Sequence, residues 1–291
     1  MRIAYLACRL TLPDSPERRP DAIEHDQMIA CFHAAFAARG ATIEAISWDD
    51  DTADWSQFDA VLIGSAWDYQ DNLESFLDHI AEIESQTKLF NDCATVRWNC
   101  RKTYLRDLAE RGVRTVPTAW LDRPTDADIA QAFDALGSDS LVIKRQVGAN
   151  AEGQFRLKRG DPVPPMPEPM MAQPFLLAIQ SEGEMSLVFV DGAFSHGLIK
   201  SATDGDYRIQ SSYGGREERY TPDAADTASA TSILETLDET PLYARVDMVR
   251  GADGEMLLME LELVEPFLYP LQADGLGARI YDALARRLKT I

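Results

Sequence analysis

Cysteine is scarce in this chain. The four present (Cys8, Cys31, Cys93, Cys100) include no CxxC pair and none lies beyond position 100, so neither a disulfide framework nor a cysteine zinc site is expected. They read as reduced thiols in a cytoplasmic protein. Histidine is equally sparse: His25, His33, His79 and His196 are scattered and form no HExxH or other ligand pair. Positive charge is short as well, with 28 Lys and Arg against 48 Asp and Glu for a formal charge of −20, which argues against nucleic acid and anionic membranes as partners. No hydrophobic run approaches a membrane span, and the apolar stretch at the start is too short for a signal peptide. A Walker GxxxxGK[ST] loop is absent, as are internal repeats and low-complexity tracts. What the chain does have is 45% hydrophobic content over 291 residues, enough for a large core divided into two or three subdomains.

Residues 2–8 read as a buried strand. A helix from about residue 22 follows, with Asp21 and Glu24 placed as a capping box and Gly40 as its stop. Strands at 42–48 and 60–64, a helix carrying Leu73, Phe76, Leu77, Ile80 and Ile83, and a strand at 88–91 complete a β-α-β-β-α-β order. That order predicts a small parallel α/β domain over 1–92. Ser65-Ala-Trp-Asp-Tyr69 follows a strand at the carboxyl edge, where open α/β sheets bind ligands, which makes Trp67, Asp68 and Tyr69 weak substrate-loop candidates; packing of the aromatics on the next helix is the better reading. Asn99 is placed to cap a helix holding Leu105 and Leu108. A strand at 115–120, a helix capped by Thr125 and Asp128 and stopped by Gly137, and strands at 141–144 and 154–158 come next. Five prolines within 162–169 read as a connector that ends this middle region. A mixed or antiparallel region over 170–264 and a helix over 276–289 follow.

The stretch from Leu242 to Glu265 concentrates the chemistry. Asp253-Gly254 is a two-residue hairpin signal between strand-forming runs, and centring the turn there sets Asp247 opposite Glu260 and Arg245 opposite Glu262. Alternation then places Ala244, Val246, Met248, Leu257, Met259, Leu261 and Leu263 on a core face, with Val249 and Leu258 on the charged one. Three carboxylates in one cross-strand patch repel unless a cation sits among them, and hard oxygen ligands suit Mg²⁺. A solvated, salt-bridged hairpin face is the plain alternative.

Other features are weaker singly. Lys144 ends the apolar run Leu-Val-Ile-Lys and precedes the small-residue loop Gly148-Ala-Asn-Ala-Glu-Gly153, a pattern of a phosphate cradle or of a flexible hairpin tip. Lys102 falls in the first turn of a helix, where a cation is unfavourable unless it reaches an anion. Met170-Met-Ala-Gln-Pro-Phe-Leu176, followed by Glu182-Gly-Glu-Met-Ser186, offers an apolar slot for a purine and a carboxylate for ribose hydroxyls, or an ordinary buried strand and turn. Lys200, Arg208 and Arg216 bracket Gln210-Ser-Ser-Tyr-Gly-Gly215, a candidate anion-capturing loop.

Taken in order, these features resemble the ATP-grasp superfamily, in its glutathione-synthetase-like branch of carboxylate–amine ligases. Within that branch the chain looks most like the D-cycloserine-forming cyclo-ligase group. The resemblance rests on Ser65-Ala-Trp-Asp-Tyr, Arg97-Trp-Asn, Gln173-Pro-Phe-Leu, Glu182-Gly-Glu-Met-Ser, Phe194-Ser-His, Tyr243-Ala-Arg-Val-Asp and Met259-Glu-Leu-Glu-Leu-Val-Glu-Pro266. It implies an α/β (α+β) ATP-grasp fold: a parallel pre-ATP-grasp domain over 1–92, a central lid domain over 93–175, and a C-terminal mixed or antiparallel domain with a metal-binding hairpin over 176–291.

By the same resemblance, Lys102 and Lys144 hold ATP phosphates under a loop containing Gly148, Ala149, Asn150 and Gly153. Gln173, Pro174, Phe175 and Leu176 meet adenine, Glu182 the ribose, and Asp247, Glu260 and Glu262 bind two Mg²⁺ ions. Arg245 and Arg208 face the transferred phosphate, and Lys200 lies near the acceptor. The chain departs from the pattern at Glu152, which adds negative charge to the loop, and at Glu262, where many relatives carry asparagine. The expected reaction joins a small-molecule carboxylate to an amine through an acyl-phosphate, releasing ADP and phosphate. No general-base histidine is evident. A kinase or a non-catalytic nucleotide-binding protein are the alternatives, and homo-oligomerisation is left open.

Overall fold

The computed structural model describes residues 1–148, 152–202 and 214–289. Its N-terminal unit runs β1 (Arg2–Ala7), α1 (Ala22–Ala37), β2 (Thr42–Ser47), β3 (Ala60–Ser65), α2 (Leu73–Gln86) and β4 (Leu89–Phe90), in the order the sequence suggests. The four strands form a parallel sheet ordered β2-β1-β3-β4. Apolar runs such as Ile3 to Cys8 are buried on both faces, as a parallel sheet between layers requires. Asp21 does not form the expected capping box. Its carboxylate accepts from the fork of Arg19 at 2.7 and 2.9 Å and makes no capping bond to the helix end.

The second sheet is antiparallel, ordered β5-β8-β6-β7. It comprises β5 (Ala119–Asp122), β6 (Ser140–Arg145), β7 (Phe155–Lys158) and β8 (Pro169–Pro174). Two short helices precede it, α3 (Cys93–Asn99) and α4 (Tyr104–Glu110), and α5 (Asp126–Ala135) packs against it. The Thr125–Asp128 capping box forms as expected. Three other expectations fail. Asn99 ends a helix capped by Asp92 instead of starting one. The strand expected at 115–120 splits: Thr115 bridges in parallel to Leu258 of the third sheet, and only Ala119 onward joins the second. The proline-rich connector does not end the central sheet, because the chain returns through β8 to its interior.

The third sheet has the order β11-β10-β9-β12-β13, all antiparallel. Its strands are β9 (Glu184–Val190), β10 (Ala193–Ser201), β11 (Arg216–Tyr220), β12 (Tyr243–Arg250) and β13 (Met256–Glu262), with α6 (Ala178–Ser181) before β9 and α7 (Ala224–Leu234) between β11 and β12. The last helix, α8 (Leu276–Lys289), packs back on α1, so one hydrophobic cluster holds Phe32 and Phe36 together with Ile280 and Leu284. The helices approach closely at Gly277, where a Cβ would fall 2.6 Å from the Cys31 carbonyl oxygen. Among the described residues, no helix is long and apolar enough to cross a membrane.

The β12–β13 hairpin departs from the expected turn in an instructive way. Gly251 N–H donates to Glu255 O at 2.8 Å and Gly254, at φ +86°, closes a three-residue loop. The extra loop residue is cancelled by a bulge at Met259, so Asp247 still faces Glu260 and Arg245 still faces Glu262. Between loop and bulge the phase is reversed. Leu258 enters the core with Val246 and Met248, while Leu257 and Met259 turn to the opposite face beside Val249, Val116 and Ile179.

Candidate active site

A cleft opens where the three sheets meet. Its floor is the face of the third sheet that carries charge, and strand register builds it. Glu217 of β11 pairs with Lys200 of β10, Lys200 with Glu184 of β9, Ser186 of β9 with Asp247 of β12, and Asp247 with Glu260 of β13. Acid, base and acid thus alternate from β11 to β9, and two carboxylates face each other across β12 and β13. Lys200 Nζ donates to Glu184 at 2.7 Å and to Asp247 at 3.3 Å. Arg245 forks onto Asp247 at 2.9 to 3.1 Å, also meets Glu262, and donates to Phe267 O at 3.1 Å. Ser186 Oγ donates to Asp247 at 2.5 Å.

Glu260 is gripped from the other side. Lys102 Nζ, from the turn before α4, and Lys144 Nζ, from β6, donate to its two oxygens at 3.0 and 2.9 Å. Burial pushes the Glu260 carboxyl up, but the two ammonium groups outweigh it and hold the group well below the usual carboxylate range. Burial likewise opposes ionisation of Asp247, yet Arg245 and Lys200 bring it down to about 2. Glu184 behaves oppositely: burial raises it to about 7 against the pull of Lys200. Among the described residues, no three metal-type ligands converge on one point. Asp247, Glu260 and Glu262 share the floor, each turned onto a cation. Hard carboxylate oxygens side by side on one strand pair remain a donor set suited to Mg²⁺.

The apolar wall is supplied by Val116, Leu176, Ile179 and Met259, and by Gln173, Pro174 and Phe175 at the end of β8. Gln173 is buried, its amide donating to Thr118 Oγ1 at 3.0 Å. Gly148 lines the cleft. Gly153 lies at φ +65° and packs so closely on Arg145 that a Cβ would fall 2.6 Å from its Nε. Ala149, Asn150 and Arg208 lie outside the described residues.

Glu182 is a correction. It pairs with Arg250 at 3.1 Å, is half exposed, and is absent from the cleft wall; the wall carboxylate of that segment is Glu184. Strand alternation carried the missed signal, since Glu184 and Ser186 share a parity that faces Asp247. Asn99 likewise serves β13 rather than a helix start. Its amide donates to Leu261 O at 2.8 Å and accepts from Leu263 N at 2.9 Å, fixing the free edge of β13. Asn91 does the same for Leu242, Tyr243 and Leu263, and the Tyr104 hydroxyl accepts from Leu261 N.

Residues 3–91 match the domain family described as the N-terminal domain of D-cycloserine synthetase DcsG. Over 272 residues the chain is 33% identical to the cycloserine biosynthesis protein DcsG of Streptomyces lavendulae, covering 86% of this chain and 90% of that protein. The chain belongs to the DcsG family. The crystal structure of D-cycloserine synthetase DcsG superposes with a TM-score of 0.84 at 27% identity, over 99% of this chain and 100% of that one. Two more distant structures share the fold. ATP-grasp ligase PsnB, complexed with a phosphomimetic variant of its minimal precursor, Mg and ADP, gives a TM-score of 0.68 at 14% identity over 98% of each chain. D-alanine–D-alanine ligase from Bacillus anthracis gives 0.65 at 16% identity over 100% of this chain and 98% of that one. The fold is ATP-grasp, as the sequence resemblance implies. This DcsG-family member is therefore an ATP-dependent ligase.

Proposed function

We propose that this DcsG-family ligase activates a small amino-acid-like carboxylate as an acyl-phosphate and joins it to a nitrogen, releasing ADP and phosphate. Cycloserine biosynthesis is the role for which its Streptomyces relative is named, so ring closure within one molecule is the form we favour. The observation that carries the reading is the convergence of Lys102 and Lys144 on Glu260 beside the charged floor of Lys200, Glu184, Asp247, Arg245 and Glu262. Phosphoryl transfer needs charge neutralisation and alignment above all, and this cleft concentrates both.

In this reading Lys102 and Lys144 pass from Glu260 to phosphate oxygens when nucleotide enters, under the loop that contains Gly148, Ala149, Asn150 and Gly153. Gln173, Pro174, Phe175 and Leu176 hold adenine, and Glu184 takes the ribose role first expected of Glu182. Asp247, Glu260 and Glu262 hold the magnesium, two ions by the resemblance. When bound, magnesium supplies positive charge against the oxygens of the moving phosphoryl group. Arg245, already forked on Asp247, steadies the acyl-phosphate with Arg208, and Lys200 orients the acceptor.

Hydroxylamine trapping tests this. The protein is incubated with Mg-ATP, hydroxylamine and a panel of D- and L-amino acids carrying a second nitrogen, and hydroxamates are sought by mass. An ATP-dependent hydroxamate that disappears in Glu260→Gln supports acyl-phosphate chemistry. A phosphorylated product without hydroxamate would instead mark a kinase.

A further inference from the structure

Attack by an amine on an acyl-phosphate needs somewhere for the nitrogen's proton to go, and no histidine lines the cleft among the described residues. The carboxylates of the wall are mostly committed. Asp247, Glu260, Glu262 and Glu184 are each ion-paired, and Glu152 accepts from Gln70 at 3.2 Å. Glu217 sits cross-strand to Lys200 at the far side of the floor, and burial raises its carboxyl against the pull of Lys200 and Arg245. Glu265 is different.

Three residues beyond Glu262, it is held by the loop after β3 in the N-terminal unit. The Trp67 indole donates to its carbonyl at 3.0 Å, and the Tyr69 hydroxyl donates to its carboxylate. Tyr69 is itself fixed, buried and stacked on Phe76 at 5.0 Å. Charged and titratable groups facing Glu265 are Glu262, Lys102, Arg245, Tyr69, Cys100 and Tyr243. Burial first, then Glu262, lifts its carboxyl to about 8, in the range where a carboxylate accepts a proton near neutral pH.

We propose that Glu265, positioned by Tyr69, takes the proton from the attacking nitrogen. The inference rests on the acyl-phosphate reading. In the step, the nitrogen lone pair forms the bond to the acyl carbon. The bond from that carbon to the phosphate oxygen breaks, its electron pair leaving with phosphate. The nitrogen's proton moves to a Glu265 carboxylate oxygen and is later lost to water.

The test separates the two half-reactions. Wild type, Glu265→Gln and Tyr69→Phe are given Mg-ATP and the same amino-acid panel, once with hydroxylamine and once with methylamine, and hydroxamate, amide and ring products are quantified by mass. Hydroxylamine is a free base at neutral pH and needs no acceptor to attack. Glu265→Gln should keep hydroxamate formation within about threefold and lose amide or ring formation about 100-fold, the scale of a positioned base. Tyr69→Phe should show the same split, smaller, with the KM for ATP unchanged. Loss of both products in parallel in the two variants, retention of both, or the split appearing in Glu217→Gln instead overturns the assignment. Wild type that forms hydroxamate but no amide or ring also overturns it. No hydroxamate from wild type removes the acyl-phosphate reading, and this one with it.

Discussion

Substituting Glu260 by glutamine probes the centre of the cleft with opposite signs in two assays. In the protein without nucleotide, the carboxylate binds Lys102 and Lys144 at 3.0 and 2.9 Å, and both lysine side chains are largely buried. A hydrogen bond to a charged group contributes about 1.5 to 3 kcal/mol. Glutamine keeps one acceptor oxygen, so roughly half of this pairing is lost, on the order of 2 kcal/mol. Glu260 is held below the usual carboxylate range, so its contribution is complete above the unfolded value and fades only as pH falls through the lower folded value. The loss should therefore be the same at pH 6 and pH 8 in urea unfolding. Nucleotide binding should move the other way. Wild type must break the lysine–glutamate contacts before phosphate oxygens can replace them, whereas the variant offers the lysines half released. Calorimetry in EDTA should show ADP binding about tenfold tighter to Glu260→Gln, which corresponds to about 1.4 kcal/mol. With Mg²⁺ the order reverses and turnover disappears. If metal-free ADP bound the variant no better than wild type, the lysines would not be the phosphate ligands and the exchange argument would fail.

Glu184→Gln should weaken ATP binding at least several-fold while Glu182→Gln leaves it near wild type; equal effects in titration would reinstate Glu182. Asn99→Ala removes two buried hydrogen bonds at the edge of β13 and should cost about 2 to 4 kcal/mol in chemical denaturation, with no loss if the edge is instead held by strand pairing alone. Burial holds the His25 and His196 imidazoles down to about 4, against an ordinary 6.5. Their neutral forms stabilise the fold above pH 6.5, and that stability, on the order of 2 kcal/mol each, drains as pH falls toward 4. His25→Asn should flatten part of the acid limb of stability against pH, and an unchanged limb would show that His25 titrates normally.

The N-terminal sheet was legible because its signals agree: apolar runs of strand length, a 3.6-residue stripe and glycine stops. The opposition of Asp247 to Glu260 was read correctly through two errors that cancel, a loop one residue longer than expected and a bulge that restores the register. Nothing local announces a bulge; from outside the hairpin, Asn99 and Tyr104 hold Leu261 and Leu263 on one side of it, and Arg114 and Val116 hold Leu258 on the other. That is also why Asn99 was mistaken for a cap, since its partners lie 162 and 164 positions away. Glu182 was preferred to Glu184 because sequence order does not say which carboxylate starts the strand and so takes the inward parity. Tyr69 packs on Phe76 of α2 and also lines the cleft, whereas Trp67 lines the cleft from the cluster that holds Tyr5 and Phe32.

The Met259 bulge has an evolutionary corollary. Beyond it the strand is anchored by side chains of α3 and α4; on the near side Leu258 is held again, by backbone hydrogen bonds with Arg114 and Val116 at 2.8 and 3.1 Å. A residue gained or lost among residues 252–254 thus meets the Leu258 anchor, and then the bulge, before it can shift Glu260 and Glu262. The tip is insulated from the chemistry, free to drift in length between lineages or to receive a grafted peptide, while the carboxylate row six residues away stays in place.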